Sequence, residues 1–331
     1  MTTTLPNRRA TMTTTNDEIR KTIQYLRSTY LVTPSYQKLE THFQSLLEQR
    51  RADMADGMIN NARGIVVVGH SGSGKTTAIR ELIRKNRSLL KIDATQDHCE
   101  FFGLQVPSPA TMKFVGAATL RALGYPYSGD KQGPAIWDQV KVQLKLRQTC
   151  FLHLDEAQDL ARYQTDKERQ SVVNTLKSVM ENSYWPTGLI LSGMPDLKKI
   201  VNQDPQLSRR LYPVEIGRLH AIRDVTPVLG TIQQYAKKAK VETQSSVLDE
   251  VFAQRLMHAA DYEFGLMAEI TVQAFAKVLL CDGFDAKLGI RHFADVYYDR
   301  SSAIDALNPF LAEDFARIDS RKIFEFDGMD A

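Results

Sequence analysis

The chain has 331 residues and a formal net charge of +3: room for a large domain with one or two smaller ones, and too little charge to mark a nucleic-acid binder by composition alone. Its three cysteines, Cys99, Cys150 and Cys281, are odd in number and lack metal-ligand spacing, which argues against a disulfide framework and leaves them as small buried residues. The apolar runs are short and the threonine-rich start has no apolar signal core, so no membrane span is expected and a cytoplasmic protein is the default.

Residues 1–12 read as disordered. Thr15 with Glu18 reads as a capping box opening a helix whose apolar face is Ile19, Ile23, Leu26 and Tyr30. Thr33-Pro34 starts a second helix carrying Tyr36, Leu39, Phe43, Leu46 and Leu47. Residues 1–60 are therefore expected as an N-terminal helical appendage, with a boundary near Asn60-Asn61.

From Arg63 onward strands and helices alternate. Continuous apolar runs predict strands at 65–68, 89–92, 151–154, 189–191 and 214–216, with helices at 75–86, 109–123, 134–146, 168–182 and 195–201. Such alternation predicts an α/β domain over residues 61–218, a parallel sheet flanked by helices on both faces. Gly124–Gly133 is rich in turn residues and reads as a surface loop. After Gly217 only helical periodicity remains, at 224–239, 246–259, 264–280 and 289–298, so a small all-helical domain is expected over 219–300. Residues 299–331 carry eight acidic against four basic side chains, leaving the rest of the chain at +7, and residues 301–331 read as an acidic tail.

The chemistry is densest at Gly69-His70-Ser71-Gly72-Ser73-Gly74-Lys75-Thr76, set between the first strand and the first helix of the α/β domain. Glycines there let backbone N–H groups curl around a polyphosphate at a helix N-terminus, with Thr77 just inside. Lys75 then reaches the β- and γ-phosphates and Thr76 ligates Mg²⁺. Roughly eighty residues on, the strand Phe151–Leu154 ends in Asp155-Glu156, suited to holding Mg²⁺ and polarising the attacking water respectively. ATP and Mg²⁺ are the expected cofactors. His153 inside that strand reads as a packed core residue. Ser192 ends the next strand, where a hydroxyl can hydrogen-bond phosphate or water; an ordinary strand-end serine fits equally well. Arg209 and Arg210 precede the last strand, where an arginine can reach a neighbouring subunit's phosphate, or can be a solvated base.

These motifs, with Leu189–Leu197, Asp204–Leu211 and the ending Asn308–Asp314, resemble the AAA+ ATPases that regulate DNA transposition, the TniB/TnsC group, with MuB and IstB as more distant relatives. The resemblance covers about residues 30–315 and makes 69–76 the Walker A and 151–156 the Walker B motif. It implies an AAA+ P-loop NTPase fold, with Glu156, Lys75, Ser192 as sensor 1, and Arg210 ahead of Arg209 as arginine finger, in the catalytic set. It further implies an ATP-gated ring or filament of this chain on duplex DNA, disassembled by hydrolysis, and partners in a transposase and a target-selection protein of the TniQ type. Lys113, Arg121 and Lys131 are candidate DNA contacts, with solvated charges as the alternative. The N-terminal helices and the phenylalanines of the tail (Phe310, Phe315, Phe324, Phe326) read either as partner-docking segments or as a simply docked tail. One departure stands out: Gly265-Leu266-Met267-Ala268 carries no arginine where AAA+ lids often place sensor 2. A small-molecule kinase and a nucleotide-gated loader with little hydrolysis are the alternative readings of the same loop.

Overall fold

The computed structural model describes residues 8–86, 99–107, 110–125, 132–162 and 165–321. They form two units, one of residues 32–217 and one that joins the chain up to Leu31 with the chain from Arg218 onward. The N-terminal segment expected as one appendage is therefore shared out between the two. Helix α1 (Arg8–Ser28) buries Ile19, Ile23 and Leu26 in the helical unit. It also begins well before Thr15, because threonines only mildly disfavour a helix that a packed segment already nucleates. Helix α2 (Pro34–Ala55) belongs to the other unit; Thr33 caps it by accepting from Tyr36 N, with Pro34 in the first turn, as its sequence predicts.

The α/β unit is built on β1 (Gly64–Gly69), β2 (Phe101–Gln105), β3 (Phe151–Asp155), β4 (Gly188–Gly193) and β5 (Leu211–Ile216), ordered β2-β3-β4-β1-β5. Every pairing is parallel. Helices α3 (Lys75–Lys85), α4 (Met112–Ala122), α5 (Gly133–Leu146), α6 (Asp166–Met180), α7 (Leu197–Gln203) and the single turn α8 (Pro205–Ser208) connect the strands. β1 and β4 are buried along their whole length, as apolar runs at the centre of a covered sheet must be. Among the described residues β5 pairs only with β1, and it is the one described strand that holds a proline, Pro213, which an outer strand tolerates. Ser35 Oγ on α2 donates to the Glu215 carbonyl of β5 at 3.0 Å. β2 lies where no strand is expected, while the strand expected at 89–92 falls outside the described residues.

The helical unit contains α1, α9 (Val225–Ala239), α10 (Glu250–Ala259), α11 (Phe264–Cys281) and α12 (Ile290–Ser301), with a short parallel pair of β6 (Glu242–Thr243) and β7 (Lys287–Leu288). α11 has 18 residues of mean hydropathy 1.5, so by length and composition it is apolar enough to cross a membrane, contrary to the sequence expectation. Here it is a core helix: Met267, Ile270, Ala274, Phe275, Val278 and Leu279 are fully or almost fully buried.

The chain after α12 turns back onto this core. Asn308 Nδ2 donates to the Ala294 carbonyl at 2.8 Å, and Arg255 Nη1 donates to the carbonyls of Pro309 and Ala312, both at 2.7 Å. Phe310 packs against Phe252, Phe293 and Tyr297 at ring distances of 5.8, 5.6 and 6.3 Å. Residues up to 321 thus pack as part of the helical unit, with Phe310 docked on its core; Phe324 and Phe326 lie outside the described residues. Phe310→Ala is expected to destabilise this unit by about 3 kcal/mol, the usual cost of a large aromatic cavity. Both tryptophans, Trp137 and Trp185, lie in the α/β unit. Denaturation should therefore show an earlier far-ultraviolet dichroism transition while the tryptophan fluorescence midpoint stays in place.

Candidate functional site

β1 delivers the chain into a tight turn. Gly72 and Gly74 have φ of +79° and +99°, a left-handed backbone that favours glycine. Gly74 is the N-cap of α3 and offers no side-chain cap, so the N–H groups of the first turn face the loop interior. Ser73 Oγ is buried and has no hydrogen-bond partner among the described residues. Lys75 is also buried, and its Nζ donates to the carbonyls of Gly69 and His70, both at 2.8 Å. Backbone amides at a helix N-terminus, an unsatisfied hydroxyl and a lysine held by loop carbonyls fit a polyphosphate. His70, Ser71 and Thr77 are exposed around this cradle, and Thr76 is half-buried at its base.

Asp155 ends β3 facing the cradle. Its Oδ2 accepts from Thr76 Oγ1 at 3.3 Å, and its Oδ1 accepts from Ser192 Oγ at 2.6 Å and from Glu156 N at 3.1 Å. A hydroxyl and one carboxylate suit Mg²⁺, which takes few protein ligands and completes its shell with water and phosphate oxygens. Among the described residues no cluster of three or more His, Cys, Asp or Glu side chains could hold a metal, so no separate protein-only cage competes with this position.

Ser192 is fully buried, with His153 Nε2 at 2.8 Å from its hydroxyl. The carboxylate can only accept, so the serine proton lies toward Asp155 and His153 must donate through Nε2–H. Burial pushes the His153 pKa down to about 4 against the pull of Asp155, which keeps the ring neutral at neutral pH. A histidine that reads from sequence as core packing is buried as expected, and it also braces Ser192.

Glu156 follows β3 with φ +55°, uncommon for a residue with a side chain. Its Oε2 accepts from Gln158 Nε2 at 2.7 Å, and Gln158 Oε1 accepts from Met194 N at 2.9 Å. Sequence reasoning missed Gln158; its only trace is an amide two positions past the acid pair, which meets Glu156 because the chain turns left-handed there.

The remaining candidates lie elsewhere. Arg210 sits at the opposite end of the sheet, where its carbonyl accepts from Gly64 N at the start of β1, about 16 Å along the strand from the loop. Its guanidinium pairs with Glu181 at 2.7 Å, while Arg209 is exposed. Lys113 and Arg121 are exposed on α4, and Lys131 falls outside the described residues. Ala268, at the position where a lid arginine is absent, is half-buried and packs against the core of its own unit.

The sequence pattern of the family described as "Bacterial TniB protein" matches residues 22–220. No protein of curated function matches the chain in sequence. Among solved structures, Cdc6p from Pyrobaculum aerophilum superposes with a TM-score of 0.54 at 14% identity, covering 81% of this chain and 68% of that one. The Aeropyrum pernix ORC1 protein in complex with DNA gives 0.54 at 12%, covering 82% and 66%. The ORC2 protein of the same organism, in ADPNP and ADP complexes, gives 0.51 at 12%, covering 77% and 67%. At these identities the likeness shows the fold, that of AAA+ P-loop ATPases. Lys75→Ala is expected to weaken binding of a fluorescent ATP analogue at least tenfold with or without magnesium. Thr76→Val, by contrast, should remove only the increment that magnesium adds, and titrations in magnesium and in chelator separate the two.

Proposed function

Because the chain belongs to the bacterial TniB family and its phosphate loop faces an acid pair, we propose that it is an ATP-hydrolysing regulator of DNA transposition that assembles on target duplex DNA. Lys75 and the loop amides would bind and orient the β- and γ-phosphates, and Thr76 with Asp155 would hold Mg²⁺. Bound there, the ion would offset phosphate charge. Glu156 takes the proton of the attacking water, and Ser192 keeps Asp155 aimed at the ion's position.

The observation that carries the assembly is the distance between Arg209-Arg210 and the loop of the same chain. Positive charge for the transferring phosphoryl group then comes from another copy, whose Arg210 leaves Glu181 or whose Arg209 is already exposed. ATP between copies supports a ring or filament, and its hydrolysis dissolves it. Lys113, Arg121 and Lys131 are the proposed phosphate-backbone contacts, which makes binding salt-dependent and weakly sequence-selective. A transposase and a target-selection protein of the TniQ type are the proposed partners of the assembled form.

Negative-stain microscopy with duplex DNA and a slowly hydrolysed ATP analogue should show rings or filaments. Glu156→Gln should preserve them in ATP while lowering turnover at least a hundredfold. A protein that stays monomeric under these conditions sinks the assembly. Turnover that returns on mixing inactive Lys75→Ala subunits with inactive subunits changed at Arg209 and Arg210 would show the arginines acting across the interface.

A further inference from the structure

Gln158 is 8% exposed, and both ends of its amide are engaged. Its orientation is therefore determined: only Nε2 can donate to the Glu156 carboxylate, and only Oε1 can accept from the Met194 amide. The amide also lies directly on Gly193, where a Cβ would come within 2.2 Å of Oε1. The short 3₁₀ helix that carries it, Ala157–Ala161, is anchored by fully buried Ala157 and Leu160.

The segment Ser192-Gly193-Met194 is thus linked to both acids. Ser192 holds Asp155 directly at 2.6 Å, and Met194 holds Glu156 through Gln158. Glu156 would otherwise be free to turn about its own side-chain bonds, since its backbone already stands outside the strand at φ +55°.

We propose that Gln158 is a positioning residue for Glu156, fixing the aim of its carboxylate and tying that aim to the end of β4. Any displacement of Ser192 is carried by Gly193 and Met194 to Gln158, so the ion-holding and water-activating carboxylates move as a pair. The inference rests on the ATPase reading of the site, because an aimed general base matters only where water is activated.

Gln158→Met keeps the length of the side chain and removes its polar atoms. In the full chain with ATP, magnesium and duplex DNA, kcat should fall about tenfold or more. KM and the affinity for a fluorescent nucleotide should stay within about twofold. Gly193→Ala, which pushes the amide aside, should reproduce the loss. Combining Gln158→Met with Ser192→Ala should cost less than the product of the single losses, since both act through one segment. In nucleotide-free protein, Glu156→Ala and Gln158→Met should be non-additive in denaturant stability, a readout independent of turnover. An unchanged or raised kcat in Gln158→Met overturns the proposal, as does a loss matched by an equal loss of nucleotide affinity. A wild-type chain that hydrolyses no ATP with DNA present would sink the ATPase reading itself, whereas an active wild type with an equally active Gln158→Met sinks only the role of Gln158.

Discussion

β4 lies between β1 and β3, and the site depends on that placement. Neighbouring strands are about 4.8 Å apart, so the backbones of β1 and β3 stand about 10 Å apart with one strand between them, a gap that the side chains of Thr76 and Asp155 close. That end must be apolar where both faces are covered and polar only at its last step. Gly188–Leu191 and then Ser192 meet the condition, with Ser192 level with Val67 of β1 and its hydroxyl on Asp155. A change in sheet order would leave every side chain of the candidate site intact and the site dismantled.

The phosphate loop and the acid pair were legible because their geometry is local: glycine spacing, a helix start and a strand end are written within a few residues. β2 was not, for a physical reason. Phe101–Gln105 is short and interrupted by Gly103, and it stays a strand because His153 of β3 packs where a side chain at 103 would stand, with Nδ1 3.1 Å from that Cβ. The docking of Phe310 was equally invisible, since an acidic composition says nothing about a few apolar residues meeting a groove built from α10 and α12. The partners of Gln158 depend on one left-handed residue, and no periodicity reports a single dihedral angle.

The helical unit uses its apolar residues inwardly. The run that makes α11 resemble a membrane segment is the same run that fills the core around Phe252 and Phe293, joined there by α1 from the far end of the chain. Ala268, where the lid arginine is absent, is half-buried and packs against this core, so its small side chain serves packing.

Pro213 has a consequence at a larger scale. An outer strand presents unpaired N–H and C=O groups that invite a strand from another molecule, and copies gathered on DNA, as proposed, would reach high local concentration. Pro213 removes one donor from β5, and Ser35 occupies the Glu215 carbonyl. Sheet-to-sheet polymerisation, which would answer to no ligand, is thereby obstructed. In the proposed assembly, contact between copies would then fall to side-chain surface, which the contents of a pocket can make and unmake.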